Sequence, residues 1–189
     1  MKRIMCLLGA LAVALALSGC ASLAMVEPQN DQVSLIVGYM DMSDAPASLG
    51  WITAKKMSPH TDLPYYRFVV DNGLFYHARA EPGVYKFDSF GGQGGVFGGT
   101  QYTFQFPSQG KSELDFEIKA PGVYYVGAFK YVQEKTGLFE QGKFDIVRAS
   151  KMSEQEALSR MLKYAGSTKW RDRIMQRLNQ IGGPVKVDD

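Results

Sequence analysis

Hydrophobic and polar residues alternate with a period of two through most of this chain. The pattern is plainest at Glu113-Leu114-Asp115-Phe116-Glu117-Ile118-Lys119, where Leu114, Phe116 and Ile118 share one face and the charges the other. Such alternation predicts a half-buried strand. It recurs at Tyr66, Phe68 and Val70, at Tyr102, Phe104 and Phe106, and at Tyr85 and Phe87 set against Lys86 and Asp88. Residues 33–40 and 123–131 are apolar on both faces, as strands covered on two sides are. Between the runs lie Asp71-Asn72-Gly73, Glu81-Pro82-Gly83, Ser108-Gln109-Gly110 and Ala120-Pro121-Gly122, each with a Pro or Gly suited to a reversal. The spacing predicts a mainly β domain over residues 33–150, an antiparallel sandwich of about eight strands.

At residue 153 the period lengthens. Leu158, Met161, Leu162 and Ala165 fall on one helical face and Trp170, Ile174, Leu178 and Ile181 on another, which predicts a two-helix hairpin over residues 151–181 packed on the sandwich. Ser153 and Glu156 are spaced as a capping box. Gly166 is a stop for the first helix, Ser167 or Thr168 can cap the second, and residues 182–189 form a tail opening with Gly182-Gly183-Pro184.

The N-terminus has a different pattern again. Behind Lys2 and Arg3, residues 7–17 are a near-continuous run of Leu, Ala, Val and Gly, the layout of a secretory signal. The run breaks at Ser18-Gly19, short of the about 20 apolar residues a transmembrane helix needs. Leu17-Ser18-Gly19-Cys20 resembles the lipobox of bacterial lipoproteins. The resemblance implies a signal peptide over residues 1–19, cleavage before Cys20 and acylation of its thiol, with residues 20–32 as a lipidated N-terminus and linker. Ser22-Leu23-Ala24 offers the rival cleavage site of an ordinary secretory signal. In lipoproteins of two-membrane bacteria, Asp after the cysteine retains the protein at the inner membrane. Ala21 and Ser22 therefore imply the periplasmic face of the outer membrane, or the cell surface where there is a single membrane.

Pro82-Gly83-Val84-Tyr85 and Phe90 recur at a constant offset as Pro121-Gly122-Val123-Tyr124 and Phe129. This Pro-Gly-x-Tyr start to a strand is similar to that of transthyretin-like and carboxypeptidase-regulatory-like β-sandwich domains. The motif carries no catalytic residue.

Composition narrows the functional classes. The chain holds 21 basic and 19 acidic side chains, and loss of Lys2 and Arg3 with the signal removes the surplus. A neutral body lacks the basic footprint of nucleic-acid binding. Cys6 leaves with the signal, so no disulfide can form within the mature chain, and stability must come from packing.

The glycine run from Gly91 to Gly99 fails as a dinucleotide fingerprint because Phe97 stands where a glycine is needed. Gly110-Lys111-Ser112 fails as a phosphate loop because Gln105 does. The run is expected to be a mobile connection, with Phe90 and Phe97 tucked under it or displayed to a partner. His60 and His77 are the only histidines, too few for a metal site by themselves. No Gly-x-Ser-x-Gly occurs and Cys20 is blocked by acylation, so no catalytic residue, metal or cofactor is assigned. The hairpin sequence is rich in cations, and Arg171, Arg173 and Arg177 are candidate contacts to anionic headgroups, a cell-wall polymer or an envelope protein. The expected function is a membrane-anchored, non-enzymatic binding or assembly module. The alternative is an envelope hydrolase with a site scattered over the β loops.

Overall fold

The computed structural model describes residues 25–61, 64–95, 98–107, 114–134 and 143–182. Among the described residues nine strands precede two helices: β1 (Ser34–Asp41), β2 (Trp51–Ser58), β3 (Tyr65–Asp71), β4 (Leu74–Ala80), β5 (Gly83–Gly94), β6 (Thr100–Gln105), β7 (Asp115–Ile118), β8 (Val123–Gln133), β9 (Phe144–Ala149), α1 (Glu154–Ala165) and α2 (Lys169–Gly182). They form one sheet in the order β6-β5-β2-β3-β4-β1-β8-β9, with β7 beside β6 along the same edge of β5. The protein is mainly β with two C-terminal helices, but it is not the antiparallel sandwich expected. A single ladder runs from β6 to β9 and curls into a half-barrel, and β1 pairs with β8 in parallel. Register shifts in β2 against β5, and in β1 against both of its neighbours, introduce the irregularities that let a sheet bend instead of splitting in two.

The curl creates two cores. Its interior holds Ile36, Ile52, Phe68, Phe75, Phe87, Phe90 and Phe129. Outside it, Leu35, Val37, Leu74 and Tyr76 meet Leu158, Met161, Trp170, Ile174 and Leu178 of the helices. β1 lies between the two, every residue buried, which is why its sequence shows no polar face.

The repeated Pro-Gly-x-Tyr motif has a structural explanation. Tyr85 donates its hydroxyl to the Glu81 carbonyl at 2.6 Å, and Tyr124 donates to the Ala120 carbonyl at 2.7 Å. Each Tyr ties the start of its strand to the residue before the Pro, in the manner of a tyrosine corner. Removing either hydroxyl with Tyr85→Phe or Tyr124→Phe should lower stability by about 1 kcal/mol, the worth of one such bond, as measured by urea denaturation.

Several local expectations are met differently. Ser153 accepts from the Glu156 amide at 3.2 Å, but the Glu156 carboxylate turns to Arg160 at 2.7 Å. Thr168 donates to the Ala165 carbonyl at 2.6 Å and so closes α1, whereas the first amide of α2 is capped by the Glu27 carboxylate at 3.2 and 3.3 Å. Glu27 belongs to a stretch read as linker, yet the chain is docked from Met25 onward, with Met25 and Val33 buried against the helices. Gly91 to Gly94, expected in a mobile connection, are the last residues of β5. Phe90 is fully buried, stacked on Phe104 at 5.1 Å, and so is tucked into the core and not displayed at the surface. Phe97 and Cys20 lie outside the described residues.

Candidate binding cleft

Trp170, Ile174 and Leu178 recur every fourth residue of α2 and point into the outer core. That phase sets Arg173, Gln176, Arg177 and Gln180 on the neighbouring stripe. Facing them is the turn between β7 and β8, Pro121 to Tyr124, and the two walls enclose a cleft of about 500 Å³ with Asp31 at its margin.

The sheet-side wall is pinned. Ser34 accepts from the Gly122 amide at 3.1 Å and donates to the Ala120 carbonyl at 3.4 Å, the Leu35 amide donates to the Gly122 carbonyl at 2.9 Å, and Tyr124 closes its corner. On the helical wall, the Arg173 guanidinium lies 4.9 Å from the Trp170 ring. It donates to the Val33 carbonyl and to the Asp31 carboxylate, both at 2.9 Å. Arg177 donates through Nε to Glu154 at 2.7 Å, which leaves its two terminal nitrogens without a protein partner among the described residues. Rigid guanidinium donors beside two carboxamides suit a polar ligand bearing carboxylate, hydroxyl or amide groups.

Of the three arginines singled out by sequence, Arg173 and Arg177 line the cleft and Arg171 does not. Gln176, Gln180, Tyr124 and Asp31 were missed. The glutamines share the helical phase of the arginines and were legible from it. The Pro121 to Tyr124 wall depends on a long-range contact and was not.

A second polar cluster lies toward the end of the curl where β2, β4 and β5 meet. Lys56 is 2% exposed, paired with Glu81 at 3.0 Å, and its ammonium stands 5.9 Å from the Tyr85 ring. Burial, with Tyr66 alongside, pushes the Tyr85 hydroxyl well above its usual range. His77 packs edge-on to Tyr66 at 5.2 Å, and its Nδ1 sits 3.1 Å from the Arg67 carbonyl. Its Nε2 is buried with no partner among the described residues.

Burial lowers the pKa of His77 below its ordinary 6.5. Above pH 6.5 the ring is neutral whether the chain is folded or not; below it the unfolded chain takes up a proton that the folded state resists. Stability should therefore fall as pH drops from 6.5 toward the depressed folded value, and His77→Gln should flatten that slope in a series of melting temperatures.

His60 is exposed in the loop after β2. Among the described residues no three His, Cys, Asp or Glu side chains cluster as a metal site, and no helix is long and apolar enough to cross a membrane. Comparison with known proteins finds no family model, no curated protein and no solved structure that matches the chain. The functional reading rests on the residues themselves.

Proposed function

We propose that this chain is a lipid-anchored protein of the bacterial envelope, held by acylated Cys20 at the periplasmic face of the outer membrane, whose body is a non-enzymatic binding module. The observation that carries the binding reading is the cleft between α2 and the β7–β8 turn, where Arg173, Gln176, Arg177 and Gln180 converge against a braced wall. Its donor-rich lining favours an envelope component that presents carboxylates.

Two measurements test this reading. Cys20→Ser should leave an uncleaved precursor that takes up no labelled fatty acid; equal labelling of the variant sinks the anchor. A photo-crosslinking residue at Gln176 or Gln180 in intact cells should trap the same product, weakened by Arg177→Glu and missing from the same probe at exposed Thr103. A pattern shared with Thr103 removes the cleft from consideration.

The rival enzymatic reading draws on Lys56, His77 and Tyr85, the one place among the described residues where a buried amine, an imidazole and a phenol lie close in the fold. Lys56 is already engaged by Glu81. If Lys56→Met abolishes function in cells while leaving stability intact, the enzymatic reading becomes the better one.

A further inference from the structure

The sequence places the anchor at Cys20, and the structure shows where the chain leaving that anchor meets the body. The Met25 amide donates to the Tyr164 carbonyl at 2.8 Å, in the last turn of α1, and the Met25 side chain is 5% exposed within the outer core. Glu27 then caps α2 through the Lys169 amide, and Asp31 pairs with Arg173 at 2.9 Å. The N-terminal segment is thus fixed to the helical hairpin from its first described residue.

Five residue steps separate Cys20 from Met25, a reach of at most ~18 Å when fully extended. From these constraints we infer that the α1–α2 turn is the membrane-facing end of the body, laid against anionic phospholipid headgroups. The inference rests on the reading of Cys20 as the anchor.

The residues at this end suit such a surface. Val26, beside the docked Met25, is 62% exposed, an apolar side chain able to enter the headgroup layer. Ser167 and Lys169 are exposed in and after the turn, and Arg171 follows. The Lys163 side chain, one turn back in α1, is 59% exposed although it pairs with Asp71 at 3.2 Å. The N-terminus of α2 is occupied by Glu27, so attraction to lipid phosphates falls to the basic side chains. Each such side chain near an anionic surface shifts the balance toward contact by about fivefold.

The wall of the curl that faces away from the helices is also defined. Phe87 of β5 meets Phe75 of β4 at 5.7 Å and Phe129 of β8 at 5.5 Å across the interior, whereas the helices cover the outer side of β1 and β4. β5 and β6 therefore form the wall away from the helices, and Thr103 is exposed on it.

The test uses the full lipidated chain in vesicles of phosphatidylglycerol and phosphatidylethanolamine. With Cys6 removed and Cys20 acylated, a cysteine introduced by Ser167→Cys or Thr103→Cys is the sole free thiol and takes a single fluorophore. A quencher attached to lipid headgroups should dim the label at residue 167 strongly and the label at residue 103 weakly. Adding Lys169→Gln or Arg171→Gln should reduce the ratio of surface-bound to free body by about fivefold each, and raised salt should act in the same direction. Equal quenching at both positions in protein that still floats with the vesicles overturns the orientation and leaves the anchor standing. Protein that no longer floats overturns the anchor and the orientation together.

Discussion

Trp170→Ala should be the most damaging single substitution in the helical hairpin, lowering stability by about 3 to 5 kcal/mol in urea denaturation. The indole is fully buried, in phase with Ile174 and Leu178 against Leu35, Val37 and Tyr76 of the sheet, and the Arg173 guanidinium lies over its ring. Truncation would open a cavity at the junction of both helices with β1, and would also free Arg173 from one of the groups that hold it at the cleft. Asn179→Ala, on the exposed side of α2, should leave the midpoint within about 0.5 kcal/mol of wild type. Trp170→Phe adds a second comparison. The indole N–H has no hydrogen-bond partner among the described residues, so a ring without that donor should recover much of the loss. If Trp170→Ala unfolds at the wild-type midpoint, the hairpin is no part of the folded core, and the cleft it forms with the β7–β8 turn loses its wall.

Most strands and both helices were legible because each is written in a local period, two for the strands and a longer one for the helices. Residues 33–40, apolar on both faces, contain the fully buried β1, whereas residues 123–131 belong to β8, which packs against both cores but is only half-buried over much of its length. That these two pair with each other in parallel was not legible, since adjacency depends on how every intervening strand is laid down. The same limit explains the sandwich expectation: alternation says that a strand has a buried face, but one curled sheet and two stacked sheets satisfy it equally. Lys56 shows where a local rule misleads. Its parity with Ile52 and Ala54 puts it inward, its charge argues outward, and the inward position is tolerated because Glu81, on a different strand connection, reaches its ammonium. At the cleft, Arg173 and Arg177 could be named from composition, but Arg173 is held there by Asp31 and Val33 and Arg177 by Glu154, opposite the β7–β8 turn, all remote in sequence.

Gly92→Ala should destabilise the domain by about 3 kcal/mol, although it adds one methyl group to a segment whose composition resembles a linker. The reason is the strap formed by residues 46–50, which runs antiparallel along the end of β5. The Gly50 amide donates to the Gly91 carbonyl at 2.8 Å, the Ser48 amide donates to the Gln93 carbonyl at 3.1 Å, and Ala47 bridges to Gly94. A Cβ at Gly92 would stand 1.9 Å from the Ser48 carbonyl oxygen and 2.7 Å from the Gly50 nitrogen. Backbone atoms held by these bonds cannot step aside as a flexible side chain could, so relief requires the strap to peel from β5. The next part of the same run behaves differently: a Cβ at Gly99 meets nothing within 4 Å, and Gly99→Ala should change stability by no more than about 0.5 kcal/mol. The pair of variants therefore divides a glycine-rich sequence into a part selected for close backbone approach and a part free of that constraint. Equal stability of Gly92→Ala and Gly99→Ala in urea denaturation would show that the strap does not lie on β5.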